Sequence, residues 1–166
     1  MKFVTRLQEM AWGPSKSAHA PSIRRAVAED APRALAVMRE GAAWESLRAV
    51  FEDLGWTLAF AGTPAAAIAR HSEDPFPVIL YDRDLTGCEW RLVVPLFAKL
   101  SPPPSVILLS AKADRNLWDE VVRCGGCDVL RVPVDRDAVA RAVRAACSLW
   151  RNQQNLRQPI TPLRTA

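Results

Sequence analysis

Long hydrophobic runs are the first thing this chain lacks. No apolar stretch in its 166 residues approaches the ~20 needed to cross a bilayer as a helix, which excludes a helical membrane protein. The basic start Met1-Lys2-Phe3-Val4-Thr5-Arg6 is not followed by the apolar core of a secretory signal. A large excess of one charge is missing too. The net charge of +4 is small and scattered, so nucleic acid is not expected as a partner. Cysteine is scarce for a disulfide framework: Cys88, Cys124, Cys127 and Cys147 fit free thiols in a reducing compartment. A cytoplasmic protein with no membrane contact is therefore expected. Cys124-Gly125-Gly126-Cys127 has the spacing of a redox pair or half a zinc site. No second pair accompanies it, and His19 and His71 lie far away in sequence. The alternative is two small residues flanking a helix-ending glycine turn.

What is present is an ordinary soluble composition, 49% apolar and 24% charged, and enough chain for one domain with some to spare. Its most informative feature is Asp82, which ends the apolar run Pro77-Val78-Ile79-Leu80-Tyr81. Such a run reads as a strand buried on both faces of a parallel sheet. A carboxylate at its carboxyl end points into the crevice where open α/β sheets bind ligands. A second run, Ser105-Val106-Ile107-Leu108-Leu109, ends in Ser110-Ala111 and brings a hydroxyl to the same edge.

Residues 1–32, broken at Trp12-Gly13-Pro14-Ser15 and Ala20-Pro21-Ser22, read as a flexible N-terminal arm. A domain follows over 33–150, and 151–166 read as a polar tail. Strands are expected at 34–38, 56–60, 77–82, 105–110 and 128–132. The helix after the first strand carries Trp44, Leu47, Val50, Phe51 and Leu54 and closes at Gly55; Pro64 opens the next, and a third spans 89–100. Asp114 caps a fourth, whose Leu117, Trp118, Val121 and Val122 are expected to face the core. The last presents Val139, Val143, Ala146, Leu149 and Trp150. Five strands alternating with five helices make an α/β three-layer sandwich. After the first strand stands Arg39-Glu40-Gly41-Ala42-Ala43, not a glycine-rich phosphate loop.

These residues together resemble the receiver domain of bacterial two-component response regulators, over roughly 33–150. Asp82 with Leu85 and Gly87 is similar to the phosphoacceptor strand end, and Ser110-Ala111 to the hydroxyl-alanine pair that closes the fourth strand. Gly125, Asp128-Val129-Leu130 and Pro133 follow the pattern around the fifth strand, and Gly55-Trp56 the glycine-aromatic after the first helix. The resemblance implies a flavodoxin-like parallel sheet of order 2-1-3-4-5. It also implies a chemistry in which the aspartate takes a phosphoryl group, two acids on the first strand help hold Mg²⁺, and a lysine on the fifth strand pairs with the phosphoryl oxygens.

The chain departs from that pattern where the chemistry resides. Met38 and Arg39 stand at the two acid positions, Val132 at the lysine, Val129 at the aromatic switch position and Thr86 at the proline after the aspartate. Magnesium asks for near-octahedral oxygen ligands, and Glu40 is the one further acid nearby. A degenerate site is expected, with no cofactor. If Mg²⁺ were retained, Asp82 and the Asp84 backbone would be its ligands. An Arg39–Asp82 ion pair is expected in the metal's place.

Three functions stay open. One is a stand-alone pseudo-receiver, not an enzyme, that signals by docking to a histidine kinase or downstream effector. Its docking face would lie around Trp118, Val129 and Arg141, and a homodimer through the last helix face is one such arrangement. The second is a receiver phosphorylated on Asp82 by a histidine kinase, with Ser110 following the state. The third is a flavodoxin-like redox protein using Cys124 and Cys127. Arg141, Arg144 and Arg151 step along the last helix, and Arg24-Arg25 sits in the arm; a solvated face or an acidic partner accounts for either.

Overall fold

Apolar runs separated by capped amphipathic segments fold as successive β–α units, because each strand needs a helix to cover each face. The computed structural model describes residues 31–157, in the order β1 (Arg33–Val37), α1 (Ala42–Asp53), β2 (Thr57–Ala61), α2 (Pro64–Glu73), β3 (Val78–Asp82), α3 (Trp90–Ala98), β4 (Ser105–Ser110), α4 (Arg115–Arg123), β5 (Asp128–Arg131) and α5 (Arg136–Arg157). All five strands are parallel, in the order β2-β1-β3-β4-β5. This is the flavodoxin-like sandwich the sequence predicts. The arm read over 1–32, with its Arg24-Arg25, falls outside the described residues up to residue 30, as does the tail from 158.

The two-residue period of a strand divides the core. Leu35, Val37, Ile79, Tyr81, Val106 and Leu108 face one side, against Ala67 of α2, Val94 and Phe97 of α3, and Val121 of α4. Ala34, Ala36, Val78, Leu80, Ile107 and Leu109 face the other, against Leu47 and Phe51 of α1 and Val139, Val143 and Ala146 of α5. Three of the five helix starts are set by side-chain oxygens. Thr63 accepts from the Ala66 amide at 3.2 Å, Asp114 from Leu117 at 2.8 Å and Asp135 from Ala138 at 2.8 Å. Pro64 occupies the first turn of α2, where no amide donor is needed. His71 is fully buried: its Nδ1 accepts from the Phe76 amide at 3.2 Å, which leaves Nε2–H to donate to the Pro102 carbonyl at 2.7 Å. It is a structural histidine, tying α2 to the loop before β4.

Two core expectations are corrected. Leu117 and Val121 are buried as expected, but Trp118 and Val122 are each 41% exposed. β5 is an edge strand, so the sheet ends before it can cover the second stripe of α4, about 100° further round the helix. Leu149 is likewise half exposed, because α5 outlasts the sheet. Its 22 residues extend about 33 Å at 1.5 Å per residue, well beyond strands of four to six. The helix runs to Arg157, so residues 151–157, read as polar tail, continue it.

Candidate functional site

Parallel strands place all their carboxyl ends at one edge, and the register decides which side chains meet there. Asp82, the last residue of β3, stands opposite Leu109 of β4. It is half-buried; its Oδ1 accepts the Asp84 amide at 3.0 Å and its carbonyl accepts the Leu85 amide at 3.2 Å. The acid thus organises the turn after its own strand. Asp84 is exposed.

Ser110, one step beyond Leu109, is 2% exposed. Its Oγ accepts from the Lys112 amide at 3.2 Å and from Arg83 Nη1 at 3.3 Å, and donates to the Lys112 carbonyl at 2.9 Å. One donor and two acceptor positions are all a hydroxyl has, so this one is fully engaged. None of those bonds reaches Asp82.

Around this pair the expected positions fall at neighbouring strand ends. Met38 follows β1 and is buried in the α1–α5 core. Val132 follows β5, donates its amide to the Ser110 carbonyl at 3.0 Å, and packs half-buried against the same core. Val129 packs on the opposite core. Arg131, opposite Ser110 in register, is exposed.

The Arg39–Asp82 ion pair is corrected: no salt bridge joins the two. Met38 turns inward at the end of β1, and Arg39 and Glu40 stand exposed on the way to α1. The cation at this edge is instead Arg83. Its signal was present in the sequence: with Asp82 opposite Leu109, the next residue on each strand, Arg83 and Ser110, must also meet. The donor set at the end of β1 is a thioether and a guanidinium, and among the described residues no group of three or more His, Cys, Asp or Glu could hold a metal ion.

Beside Asp82, the chain's one tyrosine is sealed in. Tyr81 donates to the Cys88 carbonyl at 3.3 Å. Burial first, then the charges of Cys88, Asp82 and Glu89, push its phenol up to about 12. Because the raised value favours the protonated folded state, its stabilising effect is whole below about pH 10, the ordinary phenol value, and is lost as pH rises through about 12. With a single tyrosine, phenolate absorbance reads this group alone. We expect an apparent pKa near 12 in the folded chain and near the ordinary ~10 in urea; one value in both states would contradict the burial.

The cysteine pair forms a turn. Cys124 ends α4, Gly125 has φ +97°, and the Gly126 and Cys127 amides donate to Val121 and Val106 at 2.9 and 2.8 Å. Burial pushes the Cys127 thiol up to about 12, with Asp128 adding to it. Since the thiolate is the reactive form, this environment disfavours Cys127 as a nucleophile.

The exposed stripe of α4 borders two shallow grooves. One, about 480 Å³, is lined by Ala113, Asp114, Arg115, Trp118 and Val129. The other, about 440 Å³, is lined by Trp118, Asp119, Val122 and Arg123. Trp118 lies between them, its indole N–H donating to Asp128 at 3.2 Å. Arg91 of α3 pairs with Glu120 of α4, its Nη2 at 3.1 Å from Oε2. That pairing first, with help from Arg123 and Arg83, holds the Glu120 carboxyl below its usual range. Among the described residues no helix is long and apolar enough to cross a membrane.

Against known proteins, the chain matches no protein-family model and no curated sequence. Its architecture is that of receiver domains. Chemotaxis protein CheY4 of Vibrio cholerae superposes with a TM-score of 0.63 at 16% identity, covering 70% of this chain and 98% of that one. The CheY-like receiver domain protein of Methanospirillum hungatei JF-1 gives 0.64 at 19%, covering 74% and 98%. The beryllofluoride-activated NtrC4 receiver domain dimer gives 0.64 at 22%, covering 71% and 98%. At these identities the likeness defines a fold, that of the CheY-like receiver.

Proposed function

We propose that this chain is a receiver-type module of response-regulator signalling that acts by docking through α4, β5 and α5, not by Mg²⁺-dependent phosphoryl transfer at Asp82. The observation that carries this reading is the exposure of Trp118 and Val122 on α4, two large apolar groups flanked by grooves at the sheet's uncovered edge. Exposed apolar residues gathered this way mark an interaction surface. The acid's own surroundings favour the same reading. Mg²⁺ needs about six oxygen ligands, and Met38 and Arg39 supply none. Without a metal or a lysine at Val132, an acyl phosphate adding about −1.5 to −2 charge would be left with Arg83, already bonded to Ser110, as the nearby cation.

The partner best matched to this face is a second copy. Each groove carries one acid and one base, Asp114 with Arg115 and Asp119 with Arg123. Charges of both signs on one patch are what an isologous interface needs to pair with itself. The beryllofluoride-activated NtrC4 receiver domain is a dimer, and we extend pairing, though not its geometry, to this chain. Kinases or effectors would use the same surface.

The phosphotransfer alternative is separated by one experiment. Incubation with acetyl phosphate and Mg²⁺ is expected to leave the intact mass unchanged. Stoichiometric labelling that disappears in Asp82→Asn would overturn the proposal and make the chain a working phosphoacceptor.

A further inference from the structure

Arg83 touches the Ser110 hydroxyl at the carboxyl end of β4, and that hydroxyl is bound to the segment leading into α4. The connections form a short chain. Arg83 Nη1 donates to Ser110 Oγ, and the same oxygen both accepts from and donates to the Lys112 backbone. Two residues on, Asp114 caps α4 through the Leu117 amide, and Trp118 follows. Arg83 is itself anchored, its amide donating to the Leu109 carbonyl at 3.0 Å. A guanidinium donates through five N–H groups in a rigid fork and stays charged at every working pH. It is therefore a permanent donor.

We propose that Arg83 is a latch: by holding the Ser110 hydroxyl against the Lys112 backbone, it sets the β4–α4 loop and so the position of the Trp118 face. The latch deepens the docking reading and rests on it for its biological meaning. It places the setting of that surface in a cation built into the chain. Support comes from the same arginine's field at Glu120, one of the charges that favour the ionised carboxylate on α4. At 3.3 Å the bond to Ser110 is long, so its effect is confined to the loop and does not hold up the fold. Arg83 is a positioning residue here.

The test is amide hydrogen exchange by NMR on the full chain, with the Trp118 indole resonance as a second readout. In Arg83→Ala the Lys112 and Leu117 amides are expected to exchange roughly tenfold faster, the loss of about one charged hydrogen bond, and the Trp118 indole peak to shift. Leu35 in β1 should be unaffected. Ser110→Ala removes both the arginine's acceptor and the Lys112 amide's own, so it should go at least as far; the double variant should go no further than Ser110→Ala, and Arg83→Lys should recover part of the protection. Unchanged exchange at Lys112 and Leu117 in Arg83→Ala overturns the latch, whatever Ser110→Ala does. So does equal acceleration at Leu35, which would mean general destabilisation. Should Arg83→Ala fail to fold, Arg83→Gln takes its place with the same expected outcomes. All these readouts come from the free chain, so failure of self-association would count against the docking proposal and leave the latch standing.

Discussion

Gly126→Ala is expected to lower the free energy of unfolding by about 2–3 kcal/mol, the cost of forcing extra volume into a packed core. A methyl group at this position would lie 2.5 Å from Val121 Cγ1, 3.2 Å from the Val121 carbonyl and 3.3 Å from the Val106 carbonyl. Val121 is fully buried and β-branched, so it has no alternative rotamer to retreat into, and the two oxygens belong to backbone that carries α4 and β4. Gly62 is the control. Its added methyl group would meet nothing closer than Phe60 at 3.9 Å, so Gly62→Ala should stay within about 0.5 kcal/mol of the parent. Urea unfolding of both variants gives the comparison. Equal stabilities would mean that the glycines between Cys124 and Cys127 are not there for close packing, and would reopen a role for the sulfurs.

Trp118→Ala is expected to weaken self-association by about 2 kcal/mol, roughly 30-fold in Kd, as for a central aromatic in a well-packed interface. The side chain is 41% exposed, and its one described hydrogen bond goes to Asp128. Its removal should therefore cost the fold no more than about 1.5 kcal/mol. A large loss of association with a small loss of stability is the signature of a docking residue. Sedimentation equilibrium of parent and variant measures the first, thermal unfolding the second. A parent chain that stays monomeric, or a variant with unchanged Kd, would remove the homodimer.

The architecture was legible because each of its signals is local. Val78 to Leu80 and Val106 to Leu109 are apolar at every position, which only a sheet covered on both faces accommodates. Asp114 marks the start of α4 by a bond that reaches just three residues ahead. The positions of Asp82 and Ser110 at neighbouring strand ends follow from the same runs. What resisted reading were contacts that depend on where a neighbouring element stops. Trp118 and Val122 satisfy the helical period of a core stripe as well as Leu117 and Val121 do, and they are exposed because, among the described residues, no strand follows β5 in the sheet.

The cation at the acid's edge makes the same point. Charge matching and sheet order favoured Arg39, since β1 and β3 are neighbours. The chain instead turns Met38 into the core at the end of β1 and leaves Arg39 in solvent, while the β3–β4 register carries Arg83 onto Ser110. Fold class, helix caps and the strand-end acid were therefore settled by the order of residues along the chain, because propensity, period and capping act over a few positions. Which arginine serves the edge, and which residues of α4 stay exposed, were settled by packing, because both depend on register and on the edge of the sheet, which residues far apart in sequence create together.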